Sequence, residues 1–263
     1  MGATGPRYTV DWFSEHEPAW RAVLVPRFST GERRALVVGP YEGRCVVWMY
    51  ENLSPGLHAT VLTDYASPTH PSCVAYRGKA VWNADVRGTF DHNMDVLLRA
   101  DRKERLNLIN GPDLTASLSR LACIQEAPKR FDLVYIDCRS SMQAMQSAVL
   151  AFPLLSPGGV MVLTNNVHGR THDAACPRRG IDGFLDAFVT DVKVLRNGFH
   201  TFIERRVEPV PLPVPCRAEY FDGQESLEPL VCDAEGQIKS NSKKIRGKSK
   251  SMGRRTEGSR SKE

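Results

Sequence analysis

Five short apolar runs recur along this chain, and stretches with helical spacing separate them. The runs are read at about 34–38, 59–63, 105–110, 131–136 and 159–164. They are short, apolar and often β-branched, as befits strands buried on both faces. Helices are expected from roughly Glu15 to Val25 and at about 43–53, 90–99, 114–125, 141–153 and 180–189. Ser156-Pro157-Gly158-Gly159 reads as the stop between the fourth interstrand helix and the fifth strand. Two last strands, at about 191–196 and 199–206, flank Asn197-Gly198, a hairpin turn. Parallel neighbours need a crossover, so an alternating β/α chain builds a doubly wound sheet with helices on both faces. The terminal hairpin makes one strand antiparallel. The fold class is α/β, a Rossmann-like sheet.

Charge divides the chain. Its 263 residues carry a net +5, but residues 237–263 hold 10 Lys/Arg against 2 Asp/Glu. Residues 1–236 are therefore mildly acidic. The segment 237–263 has too few apolar residues to offset its ordering entropy and is expected to be a disordered basic tail. It suits nucleic-acid contact or nuclear localisation, or serves as a solvated tail. Pro209, Pro211, Pro213 and Pro215 open a Pro-rich linker and acidic segment over 207–236. Residues 1–10 are expected to be a flexible N-terminus without a signal-peptide core, and 11–206 the folded domain. No apolar run reaches about 18 residues, so no membrane partner is expected. Seven scattered cysteines without a C-x-x-C pair suggest reduced thiols and an intracellular, cytoplasmic or nuclear, setting.

In doubly wound sheets, ligands sit at the carboxyl ends of the strands. Gly39, Pro40, Tyr41, Glu42 and Gly43 follow the first run, and Asp64 ends the second, 21 residues past Gly43. Glycines let backbone approach a ligand, and a carboxylate at that distance takes a ribose diol. The dinucleotide fingerprint needs G-x-G-x-x-G, but three residues part Gly39 from Gly43. The phosphate loop needs Gly-Lys-Ser/Thr, but Arg44-Cys45 follow Gly43. What remains is a turn for S-adenosylmethionine, which carries no phosphate. Asp113 is expected to cap the next helix, either alone or while also reaching an adenine. Asp137 ends the fourth run, and Asn165-Asn166 end the fifth.

Asp11-Trp12-Phe13-Ser14 and then the stretches LVVGPYEGRCVVWMYENL, TVLTDY, FDLVYID, LLSPGGVMVL and IDGFLDAF, in this order, resemble the class I S-adenosylmethionine-dependent methyltransferases. More narrowly, they resemble the small-molecule O-methyltransferase-like branch called methyltransferase family 24. The resemblance spans about residues 11–206. It implies a seven-stranded sheet with the last strand antiparallel, S-adenosylmethionine as cofactor and a small-molecule acceptor. Cofactor contacts are expected at Gly39, Tyr41, Glu42, Gly43, Asp64, Asp113 and Asp137. Asp137, Asn165 and His168 are expected to face the acceptor.

The departures shape the chemistry. Val37 stands where the family usually has an acid, and Cys138-Arg139-Ser140 replace its polar trio after Tyr-Ile-Asp. One carboxylate and two amides, Asp137 with Asn165-Asn166, suit Mg²⁺ poorly, so no tightly bound metal is expected. His168, His172 and Cys176 recur every four residues, but Gly169 and Pro177 favour a loop over a zinc site. His168 follows the fifth run, where an acceptor hydroxyl is expected and a neutral imidazole can take its proton; otherwise it belongs to a polar loop over the pocket. Cys138 is a thiol in a similar place without a nearby histidine. Three readings follow: a small-molecule O-methyltransferase, a non-catalytic binding relative, and a tail-targeted enzyme for nucleic acid.

Overall fold

The computed structural model describes residues 5–9, 11, 13–65, 73–76, 79–82, 85–98, 100–111, 113–124, 130–138, 140–164 and 176–208. The expectations for Asn165, His168, the remainder of the linker and the basic tail lie outside the described residues. In chain order the elements are α1 (Glu17–Phe28), β1 (Glu32–Val38), α2 (Arg44–Asn52), β2 (Gly56–Thr63), β3 (Cys73–Tyr76) and β4 (Lys79–Trp82). Then come α3 (Val86–Leu97), α4 (Ala100–Lys103), β5 (Leu106–Asn110), α5 (Leu114–Ile124), β6 (Phe131–Ile136) and α6 (Ser141–Ala151). The last are β7 (Leu155–Thr164), α7 (Pro177–Ala187), β8 (Val192–Arg196) and β9 (His200–Arg205).

Seven strands form one sheet in the order β5-β2-β1-β6-β7-β9-β8. Pairing is parallel from β5 through β7, and β9 runs antiparallel to both β7 and β8. This is the expected doubly wound sheet with a reversed final strand. Successive side chains of a strand point to opposite faces, and both faces are apolar here. Val37, Tyr135, Val162 and Phe202 join Trp20, Trp48, Phe90 and Met94 from α1, α2 and α3. Leu36, Ile136, Met161 and Ile203 join Leu118, Ala148 and Phe184 from α5, α6 and α7. The result is a helix–sheet–helix sandwich.

Trp20 is the centre of the first layer and is fully buried. Its ring meets Phe13 at 4.9 Å, Trp48 at 5.3 Å and Tyr135 at 5.2 Å, each edge to face. Such pairs add roughly 0.5–1.5 kcal/mol each to the burial term. They fasten α1, and the segment leading into it, to the sheet.

Element boundaries moved where local chemistry outweighed pattern. α3 starts at Val86 rather than near 90, because the Asp85 carboxylate accepts from Gly88 N (2.7 Å) and caps the helix. β7 starts at Leu155, so Pro157-Gly158-Gly159 lies inside the strand, at a register shift against β6, and does not stop a helix. α6 ends earlier, at Ala151, and a single 3₁₀ turn containing Pro153 follows. Between the strand expected at 59–63 and the helix expected at 90–99, where no element was expected, lies the antiparallel pair β3–β4. Four-residue strands are too short for alternation to reveal. The β8–β9 hairpin forms, but Gly198 lacks the positive φ of the favoured two-residue turn. Asn197 Oδ1 holds the turn instead, accepting from Thr201 Oγ1 (3.0 Å) and Arg178 (3.1 Å).

The second layer is tight where α7 crosses α6. A Cβ at Gly180 would stand 1.9 Å from the Ser141 carbonyl oxygen and 3.1 Å from Met145 N. Backbone cannot swing aside as a side chain can. Gly180→Ala is therefore expected to destabilise the domain by roughly 3 kcal/mol, read as a lower urea midpoint with an unchanged slope.

Candidate functional site

β1 lies between β2 and β6, and the chain leaves these strands toward opposite faces of the sheet. A crevice opens at such a reversal, outside the carboxyl ends of the strands. Three backbone bonds carry the ladders one residue past the strand ends. Gly39 N donates to Leu62 O (3.0 Å), Asp137 N to Val38 O (2.9 Å) and Gly111 N to Thr63 O (3.0 Å). The fold thus brings Gly39, Asp64, Asp113 and Asp137 to one edge of the sheet.

The turn from Gly39 to Gly43 has an unusual backbone. Gly39 has φ +73°, Tyr41 +50° and Gly43 +83°. Left-handed backbone at a residue with a Cβ costs on the order of 1–2 kcal/mol. The Tyr41 carbonyl accepts from the Tyr65 hydroxyl, and Gly43 N donates to Pro40 O (2.9 Å), which holds the shape. A Cβ at Gly39 would stand 2.4 Å from the Asp137 carbonyl oxygen. One at Gly43 would meet Met94 Cε at 2.6 Å and Phe90 Cδ2 at 2.8 Å. The first glycine lets the ends of β1 and β6 touch. The second lets α3 close over the turn.

Behind the turn lies a buried polar group that the sequence reading did not single out. Thr164 Oγ1 donates to Tyr135 Oη (3.2 Å), and Tyr135 hydrogen-bonds the Asp137 side chain. Burial first, and then the charge of Asp137, holds the Tyr135 hydroxyl well above the usual phenol range. The Cys45 thiol, at the start of α2, is raised by the same two causes. Both stay protonated, and Asp137 is the acceptor among them. Tyr135 was within reach of sequence reasoning: two residues before Asp137 on a strand is the same face. Cys45, Tyr65 and Thr164 carried no such signal.

The other sequence candidates divide. Asp113 caps α5 as expected, its Oδ1 accepting from Ala116 N (2.7 Å). Glu42 is buried, and its carboxylate accepts from Thr9 N (2.8 Å) and from the Thr9 hydroxyl. Cys138 is buried and its thiol points to Ser147 Oγ (3.4 Å) on α6. Val37, at the position where an acid was looked for, is packed in the core. Among the described residues, no three His, Cys, Asp or Glu side chains are grouped to share a metal ion. No helix among them is long and apolar enough to cross a membrane.

Beyond Tyr135, the edge continues as an aromatic wall. His200 pairs across strands with Thr164, and its Nδ1 accepts from Trp20 Nε1 (3.3 Å). His16, just before α1, stacks on Phe199 at 3.9 Å and meets His200 edge on at 5.1 Å. Burial, and secondarily His16, lowers the pKa of His200 from 6.5 to about 3. The folded protein therefore excludes a proton that the unfolded chain binds below its own pKa. This contribution leaves stability intact above pH 6.5 and lowers it as pH falls from 6.5 toward 3. The decline is at most about 1.4 kcal/mol per pH unit. His200→Gln keeps an acceptor for Trp20 and is expected to flatten that decline in urea unfolding between pH 7 and 4. An unchanged pH slope would count against it.

This strand order, with its reversed strand, is the class I methyltransferase fold. One similar solved structure is the O-methyltransferase TomG from Streptomyces achromogenes, involved in tomaymycin synthesis and in complex with SAM. It is 16% identical, the match covers 73% of this chain and 80% of that one, and the TM-score is 0.52. A protein from Corynebacterium glutamicum is 14% identical, with 74% and 82% covered and a TM-score of 0.51. At these identities the likeness shows the fold. No protein-family model matches the chain, and no curated protein matches it.

Proposed function

We propose that the domain is an S-adenosylmethionine-dependent methyltransferase that methylates an oxygen of a small molecule. One observation carries the reading. The Gly39–Gly43 turn, Asp64 and Asp137 follow the three adjacent parallel strands at the reversal of the sheet. That is where this fold class takes its ligand. Asp64 is the ribose carboxylate, the turn with Gly39, Tyr41 and Gly43 lies along the cofactor, and Asp113 stands on the adenine side. Asp137 is placed between cofactor and acceptor. S-adenosylmethionine supplies an electrophilic methyl group when bound.

The task left to the chain is alignment, because displacement at a methyl carbon needs acceptor, carbon and sulfur in line. Asp137, held by the Tyr135 hydroxyl, is an acceptor for the proton of an incoming hydroxyl. Asn165 and His168 complete the acceptor side in this reading. No tightly bound metal is required. The basic tail of residues 237–263 would direct the enzyme to nucleic acid or to the nucleus in the alternative reading. The mildly acidic remainder of the chain favours the small molecule.

Hydrogen bonds from a ribose diol to a carboxylate are worth roughly 1.5–3 kcal/mol each. Asp64→Ala is therefore expected to weaken S-adenosylmethionine binding at least about tenfold in titration calorimetry. No binding by the wild type at millimolar ligand would sink the proposal. Binding without transfer of labelled methyl to any small hydroxylated acceptor would leave a binding module instead.

A further inference from the structure

The segment before α1 is attached to the glycine turn and to α3 by polar contacts. Arg7 N donates to Asn93 Oδ1 (2.7 Å), and Asn93 Nδ2 donates back to Arg7 O (2.8 Å). The same Nδ2 donates to the carbonyl of Glu42 (2.9 Å). Asn93 is fully buried on α3, so one amide joins the segment, α3 and the turn. The Glu42 carboxylate takes the Thr9 amide and hydroxyl one residue pair further on. Gly5 O meets His92 Nε2 at 3.1 Å. At the other end, Asp11 pairs with Arg44 (2.7 Å), whose guanidinium lies over the Tyr8 ring at 5.0 Å.

Apolar packing within the segment is confined to the half-buried Tyr8 ring. Pro6, Arg7 and Thr9 are exposed. A crevice of about 310 Å³, lined by Tyr8, Phe13, Arg44 and Trp48 among others, opens between the segment and α2. A segment hung over a crevice depends on its discrete bonds. The Thr9 bonds, and the Arg7 bonds by way of Asn93, lead to Glu42, between the two left-handed residues Tyr41 and Gly43.

We propose that Asn93 and Glu42 are positioning residues, and that residues 5–9 form a clasp which holds the turn in its cofactor-binding shape. Glu42 acts through the turn backbone and the clasp, not by touching the cofactor. Coupling of this kind is reciprocal: the clasp tightens cofactor binding, and bound cofactor tightens the clasp. The inference rests on the S-adenosylmethionine reading above.

The test compares Thr9→Val and Thr9→Ser in the full chain. Thr9→Val takes one donor from the buried Glu42 carboxylate and is expected to melt below the wild type, whereas Thr9→Ser keeps the donor, so affinities are compared well below both melting points. Thr9→Val loses the hydroxyl bond to Glu42 and is expected to weaken S-adenosylmethionine affinity about fivefold or more. Thr9→Ser keeps that bond and is expected to restore wild-type affinity. Amide hydrogen exchange at Arg7 and Thr9 of the wild type is expected to slow about tenfold when S-adenosylmethionine is added. Wild-type binding with unchanged exchange at both amides overturns the clasp alone, as does equal affinity in Thr9→Val. Absence of wild-type binding overturns the underlying reading and the clasp with it.

Discussion

The parallel pairing of β1 with β6 is the contact on which the rest depends. Ala35 to Val38 lie in register with Leu133 to Ile136, and all eight residues are buried. The two strands are far apart in sequence, so loop-closure entropy opposes their meeting. Apolar burial on both faces offsets it. Val37 and Tyr135 feed the Trp20 layer, and Val38 and Ile136 feed the opposite one. Because β1 and β6 are neighbours, Gly39 and Asp137 are also neighbours. The candidate site is thus a by-product of the central ladder.

That ladder explains why the turn has so little freedom. The Gly39 backbone fits against the Asp137 carbonyl only without a Cβ. Phe90 and Met94 press on Gly43 from α3. Tyr65 and Asn93 hold the carbonyls between them. Core packing therefore sets where the turn sits, while polar bonds set the path of its backbone. Polar contacts are short-ranged and directional, which suits them to a part of the protein that must match a ligand.

Legibility in the sequence followed length and period. Strands buried on both faces were readable as apolar runs, and the residues ending them led to Gly39, Asp64, Asp113 and Asp137. What escaped was short or nonlocal. The β3–β4 pair has four-residue strands, and Pro157-Gly158-Gly159 looked like a stop but lies within β7. Residues 1–10 were read as flexible, and 5–9 are tied to the glycine turn and α3 by side chains more than thirty positions away. Glu42 was read as a cofactor contact from its place in the turn. Nothing in sequence spacing pairs it with Thr9.

By itself, the sequence determined the α/β alternation, the reversed last strand and the chain positions of the strand ends, because periodicity and turn chemistry are local. Only the tertiary structure decided that Tyr135 and Thr164 back Asp137, that His200 is buried against Trp20, and that Asn93 joins the N-terminal segment to the turn. Each of these links residues distant in the chain. Each depends on which face of the sheet a side chain takes and which helix covers it, and those are settled only when the layers pack.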